Sequence, residues 1–173
     1  MKPFFFLLVL FLAIPAIGQE SVSAQSKAAL VGTWKLISAT DTSDKGQVVT
    51  NPYGLNPTGV LTYTADGRMM DIITNGGRKP LSVPDWVSAP AEERAEALVT
   101  MVAYAGRYAV SGDKVVHHVE VAAVQNWVGT DLVRTIVKLE GNRVTLGVPP
   151  FLKGGVQMTE ELVWERIPSG SAP

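Results

Sequence analysis

Short β-type runs separated by tight glycine turns recur along this chain, and that rhythm constrains its fold more than any other feature. Leu30 to Thr40 (LVGTWKLISAT) combines β-branched and aromatic residues with no proline, a strand signature. Gln47-Val48-Val49 reads as a short strand before the loop Asn51 to Pro57, which carries two Asn-Pro pairs and a Gly. Gly59 to Thr64 and Arg68 to Thr74 flank Ala65-Asp66-Gly67, a hairpin turn with Gly where a positive φ is wanted. Further strands are predicted at Arg107 to Val110, Lys114 to Val124, Asp131 to Leu139, Arg143 to Val148 and Val156 to Ile167, with Pro149 to Gly155 as a loop. A single helix is predicted over Pro90–Ala103: Ser88 caps it, Pro90 sits in its first turn, and Glu92 and Glu93 favour its positive end. Its residues Ala91, Ala95, Leu98, Val99 and Val102 form one apolar stripe, so it is expected to pack on the domain. About eight to nine strands against one helix, joined mostly by hairpins, predict an all-β, antiparallel, up-and-down sheet closed into a barrel. The helix is expected to cover one opening or the outer wall.

The N-terminus reads as an address. Met1-Lys2 precedes an apolar run of eleven residues, Phe4 to Ile14, broken by Pro15 and followed by small residues. That length suits a signal peptide, and a spanning helix needs ~20 apolar residues. Cleavage fits after Gly18 or after Ala24, with Ala24 preferred. The expected layout is a signal peptide over 1–24, a linker over 25–29, the barrel over 30–167 and a flexible tail over 168–173. The protein is thus expected to be exported, periplasmic or secreted, with no membrane anchor after cleavage. Fifteen Lys and Arg against sixteen Asp and Glu give a net charge of −1, without the basic footprint of a nucleic-acid binder. The chain has no cysteine, which excludes disulfides, thiolate metal sites and a thiol nucleophile.

Leu30-Val31-Gly32-Thr33-Trp34-Lys35-Leu36 places a Gly-x-Trp at the start of the first strand, which resembles the opening of calycins, the lipocalins and fatty-acid-binding proteins. The resemblance implies a calycin-like barrel in which Gly32 and Trp34 close one end and a late Arg packs across the indole. Arg166 is the candidate for that Arg, with Arg134 as the alternative. The chain is also similar to a narrower group, the bacterial and fungal lipocalin-like domain proteins. The matching stretches are Asn56 to Tyr63, Asp66-Gly67-Arg68-Met69, Tyr104 to Tyr108, Val116 to Glu120, Asn126 to Gly129, and Arg134. They span about Leu30 to Ile167. The mid-chain helix departs from the better-known calycins, so their ligand-entry geometry does not carry over.

Strand alternation nominates interior residues. Val115, His117, Val119 and Val121 share one face, which places His117 in an apolar interior, whereas His118 shares the other face with Glu120. His118 is then expected within contact of Glu120. With no Cys and the two His on opposite faces, no metal site is expected, nor any cofactor. Arg134 alternates with Leu132 and Ile136, and Asp71 with Met69 and Ile73. An inward Arg134 requires a carboxylate such as Asp71 or Glu120, or an anionic ligand group; otherwise it is a surface charge. Outside the leader the large rings are four Trp, four Tyr and Phe151, most of them with a polar handle suited to a semi-polar cavity. Tyr63, Tyr104, Tyr108 and Trp127 are the expected lining, with Met69 and Met70 as adaptable wall. Glu160 and Glu161 fall on opposite strand faces and form no catalytic dyad. No nucleophile elbow, phosphate loop or zinc-type helix motif is present.

These features lead to a barrel binding a small, partly polar hydrophobic molecule, and more readily to a binder than to an enzyme. Two alternatives carry their own signatures. A barrel isomerase, cyclase or hydrolase would use an inward His with Glu120, Asp71 or Arg134, and an envelope interaction protein would have a filled barrel and an exposed apolar patch.

Overall fold

The computed structural model describes residues 26–168 and residue 170; the expected signal peptide lies outside the described residues. Nine strands follow in chain order: β1 (Gly32–Ser43), β2 (Val48–Thr50), β3 (Thr58–Tyr63), β4 (Arg68–Thr74), β5 (Met101–Ser111), β6 (Lys114–Ala122), β7 (Asp131–Glu140), β8 (Arg143–Lys153) and β9 (Val156–Arg166). A helix α1 (Ala91–Val99) precedes β5. Each strand from β3 to β9 pairs antiparallel with its neighbour, and β9 returns to β1 along most of its length. The sheet is thereby an eight-stranded closed barrel, with the three-residue β2 added beside β1. Closure removes the open edges that an antiparallel sheet of this size would otherwise expose.

The wall follows the two-residue period. β3 buries Gly59, Leu61 and Tyr63, β4 buries Met69, Asp71 and Ile73, and β9 buries Met158, Glu160, Leu162 and Trp164. Irregularities reset that period. A register shift between Leu36 and Ser38 in β1 brings Ala39, Asp41 and Ser43 inward, where unbroken alternation from Trp34 would have turned them out. A second shift, at Ala105/Gly106 of β5, faces the end of β6 and turns Val121 outward, 61% exposed, against the expected face shared with His117.

One end of the barrel is plugged. Residues 26–30, which take in most of the expected linker (25–29) and the first expected barrel residue, are helical, and Leu30 is fully buried. Trp34 Nε1 donates to the Leu30 carbonyl at 2.8 Å. The Arg166 guanidinium lies 4.0 Å from the Trp34 ring centroid and donates to the carbonyls of Ala29 and Val31. Gly32 has φ +139, and a Cβ there would strike that guanidinium, so the position requires glycine. Arg134 is not the partner of Trp34.

The opposite end carries α1 and the β2–β3 loop. The helix is shorter than expected: residues 101–103 belong to β5, because the Met-Val-Ala run fits a strand edge as well as a helical stripe. Ser88 does not cap it; its hydroxyl donates to the Asp85 carbonyl and Pro90 stands at the N-cap. None of its residues is buried, and Leu98 and Val99 face outward, so the expected packing stripe is absent. α1 is tied instead to the preceding segment, through Arg78 to the Ala97 carbonyl and Ser82 to Glu93. A cleft of about 630 Å³ separates them, outside the barrel wall. β8 also runs further than expected, through Pro149 and Pro150 to Lys153. Its register with β9 shifts between Val148 and Phe151, which frees the prolines from ladder bonds they cannot donate.

Candidate functional site

Polar side chains meet in the middle of a barrel whose interior is mostly apolar. Asp71 stands directly across from Tyr104 in the β4–β5 ladder, and Tyr108 across from His117 in the β5–β6 ladder. All four are buried, as is Tyr63. His117 Nε2 lies 2.6 Å from the Tyr63 hydroxyl and Nδ1 lies 3.0 Å from the Tyr104 hydroxyl. Tyr104 donates to Asp71 Oδ2 at 3.0 Å. A tyrosine has one hydroxyl proton, so these contacts fix the proton order. With Asp71 ionised, Tyr104 gives its proton to the carboxylate, His117 must donate from Nδ1 to the Tyr104 oxygen, and Nε2 accepts from Tyr63. Four residues thus form one directed relay ending on Asp71.

Arg134 completes it. The guanidinium reaches the Tyr104 hydroxyl at 3.4 Å and the Val133 carbonyl at 2.9 Å. Burial pushes the Asp71 carboxyl up to about 6, against the opposing pull of Arg134 and the Tyr104 hydrogen bond. Burial, with the nearby Arg134 charge, holds the His117 imidazole well below its ordinary value, so the ring is neutral. Burial raises the Tyr63 and Tyr104 hydroxyls, which stay protonated. Asp71 Oδ1 has no hydrogen-bond partner.

Rings frame the relay. Tyr63 and Tyr108 lie 4.7 Å apart between centroids, and Trp127 meets Tyr104 edge-on at 6.1 Å. Trp127 reaches in from a short 3-10 turn, Gln125–Trp127, rather than from a strand. Met69 is inside, whereas Met70 lies on the outer wall.

His118 and Glu120 do not join the site. Both face outward as the alternation predicts, but the expected contact between them is not made. The register puts Asp131 opposite His118, and their side chains pair at 2.8 Å. Glu120 is held instead by Arg68 and Arg107, at 2.8 Å each. Polar side chains brought alongside by the neighbouring strands outcompete a residue two positions along the same strand.

A second polar cluster lies toward the end opposite the Trp34 plug, and none of its members is among the residues nominated from sequence. Asp41 and Glu160 are direct partners across β1 and β9, both buried. Lys153 Nζ meets Asp41 Oδ2 at 2.8 Å and sits 5.6 Å over the Tyr53 ring, and burial, helped by the Glu160 carboxyl beside it, pushes the Tyr53 hydroxyl up. Asp41 Oδ1 and Glu160 Oε1 lack partners. Burial, then the Asp41 charge, pushes the Glu160 carboxyl up. Tyr53 is held in place because its loop packs backbone to backbone on the β4–α1 connection. There the Gly76 amide donates to the Tyr53 carbonyl, and a Cβ on Gly76 would collide with the Leu55 carbonyl. Lys153 marks the only hint in the sequence, a cation beside the Gly154-Gly155 turn. Among the described residues, no three His, Asp or Glu side chains converge as a metal-binding set.

Comparison with known proteins agrees with this architecture. The 4'-hydroxy-3'-methoxypropiophenone carrier protein of Aspergillus oryzae is 31% identical over 93 residues, covering 49% of this chain and 83% of the relative. A family model described as a lipocalin-like domain matches residues 31–167, from the residue before β1 to the residue after β9. The chain belongs to the lipocalin-like domain family.

Proposed function

We propose that this protein is an exported carrier that holds a small, partly polar hydrophobic molecule in its barrel, oriented by the Asp71–Tyr104–His117–Tyr63 relay. The observation that carries the reading is the relay itself. A polar chain buried among apolar walls, with Asp71 Oδ1 left open, suits a ligand that brings an apolar body and a hydrogen-bond donor. The carrier activity named for the Aspergillus oryzae relative supports the same direction. Both ring nitrogens of His117 are engaged by tyrosine hydroxyls, which favours a fixed orienting group over a base that must reach a substrate proton.

Titration with 4'-hydroxy-3'-methoxypropiophenone, followed by tryptophan fluorescence, tests the binding. Saturable binding, recovery of the compound unchanged, and about tenfold weaker affinity in His117→Ala are expected. Absence of saturable binding, or conversion of the compound, contradicts the reading. Export is tested by the N-terminus of the protein recovered from the periplasm or medium, expected at Gln25; intact Met1 in a cytosolic fraction contradicts it.

A further inference from the structure

The interior relay has two self-consistent proton orders, and only one of them fits an ionised Asp71. Its members are closely linked: Tyr63 Oη to His117 Nε2 at 2.6 Å, His117 Nδ1 to Tyr104 Oη at 3.0 Å, and Tyr104 Oη to Asp71 Oδ2 at 3.0 Å. Each hydroxyl carries one proton and a neutral imidazole carries one, so the state of either end fixes every hydrogen bond between. With Asp71 ionised the protons point toward it: Tyr63 donates to Nε2, Nδ1 to Tyr104, and Tyr104 to the carboxylate. Both ends then offer acceptors, the Tyr63 oxygen and Asp71 Oδ1, which has no partner.

A proton on Asp71 gives the relay one donor too many, and the surplus must emerge at one end. The carboxylic acid is the strongest donor of the set, so leaving its O–H unpaired in a buried position costs more than leaving a phenol O–H unpaired. The order that pairs it runs the other way: Asp71 Oδ2 donates to Tyr104, Tyr104 to Nδ1, and Nε2 to Tyr63, whose own proton is freed. The balance is one proton taken from solvent. Tyr104 passes its proton to Asp71 and takes the one on Nδ1, Nε2 takes the Tyr63 proton, and Tyr63 is reprotonated. His117 stays neutral throughout; only the nitrogen that carries its proton changes.

The titratable and charged groups around Asp71 are Tyr63 from β3, Tyr104 from β5, His117 from β6 and Arg134 from β7. Its charge is also felt at Tyr53 of the β2–β3 loop, as are those of Asp41 from β1 and Glu160 from β9. Arg134 keeps its charge, burial holds His117 neutral, and burial keeps the two relay tyrosines protonated. Asp71, raised by burial to about 6, is the relay member whose charge changes near neutral pH. Burial and the Asp41 charge raise Glu160 to about 7, but its hydrogen bonds go to Tyr53 and Asp41 and not to the relay.

We propose that the relay is a proton-order switch: when Asp71 takes a proton, the tautomer of His117 flips and the Tyr63 end changes from hydrogen-bond acceptor to donor. Its consequence, which rests on the carrier reading above, is control over what the barrel holds. The ionised relay selects a ligand that brings a hydrogen-bond donor, a phenol or an alcohol. The protonated relay lets a ligand with acceptors alone, a ketone or an ether, compete.

Nitrogen NMR of the histidine rings in the ligand-free mature chain reads the switch, with His118→Ala identifying the His117 signals. The ring proton is expected on Nδ1 at pH 7.5 and on Nε2 at pH 5, with the exchange half complete near pH 6. Asp71→Asn should hold one tautomer at both pH values, with tryptophan emission reporting an intact fold. A proton that stays on Nδ1 at pH 5, a doubly protonated ring, or an exchange that survives Asp71→Asn overturns the switch and leaves the carrier reading standing. If Asp71→Asn does not fold, the wild-type signals decide alone. Calorimetry with 4-ethylphenol and its methyl ether, 4-ethylanisole, reads the consequence. The phenol is expected to bind about tenfold more tightly at pH 7.5, the factor one hydrogen bond supplies, and the ratio to fall by roughly threefold or more at pH 5. A ratio equal at both pH values overturns the control over ligand choice. Failure of both probes and of the phenolic ketone to bind overturns the carrier reading, and the ring signals still decide the switch.

Discussion

Replacing Tyr104 by Phe removes one oxygen and, with it, the hub of the interior relay. The hydroxyl serves Asp71 Oδ2, His117 Nδ1 and Arg134 at once. Asp71 Oδ1 already lacks a partner, so the variant leaves the buried carboxylate with no hydrogen bond and orphans the imidazole N–H. At ~1–3 kcal/mol for each buried group left unsatisfied, the loss at pH 7.5 is about 3–5 kcal/mol. Its pH dependence separates this account from simple packing loss. In the wild type, burial raises the Asp71 carboxyl from 3.8 to about 6. Below the unfolded value both states carry the proton and no penalty exists. Between 3.8 and about 6 the unfolded chain is ionised while the folded protein still holds the proton, so the destabilisation grows across that window and stands at roughly 3 kcal/mol above it. The Tyr104 hydrogen bond lowers that carboxyl, so Tyr104→Phe pushes it higher and widens the window of instability upward. Urea unfolding followed by tryptophan fluorescence should therefore give a larger difference between wild type and variant at pH 7.5 than at pH 5. A difference below about 1 kcal/mol at pH 7.5, or one equal at both pH values, refutes the assignment of Tyr104 as the partner of the Asp71 charge.

The remaining predictions probe the plug and the outer wall. Gly32→Ala forces a side chain into a positive φ and against Arg166, and should lower stability by ~2 kcal/mol or more, read as a fall in Tm. Arg166→Met loses the stack on Trp34 and both carbonyl bonds, with about 2–3 kcal/mol expected from chemical denaturation. His118→Ala breaks only an exposed pair with Asp131 and should change stability by at most ~0.5 kcal/mol, with ligand affinity unchanged. Glu120→Gln weakens two half-exposed bridges; its cost, about 1 kcal/mol at low salt, should fade as salt is added.

Local alternation makes the centre of the site legible in the sequence. Val115 and Val119 flanking His117, and Met69 and Ile73 flanking Asp71, suffice to turn both polar residues inward. The same parity places His118 and Glu120 outside. It does not say which cations and carboxylates meet them, since that depends on the register of neighbouring strands. The Asp41–Glu160 pair is hidden for a sharper reason. The bulge at Leu36/Ser38 reverses the phase of β1, so a parity count from Trp34 puts Asp41 on the wrong face. Its partner lies 119 residues later, joined only by barrel closure. At α1 the difficulty is different: an Ala/Val-rich run satisfies helical and strand periods equally well, and barrel pairing with β4 decides for a strand from Met101.

With only two histidines in the chain, one inside the relay and one on the outer wall, ligand placement can be read from their ring resonances. Titration of the phenolic ketone against protein labelled at the histidine ring nitrogens is the most direct test that the ligand sits on the buried relay. The account predicts that the His117 Nδ1 and Nε2 signals, characteristic of a neutral ring, move with saturation while those of His118 stay fixed. Movement of His118 alone, with His117 unchanged at saturation, would place the ligand outside the barrel and contradict the account.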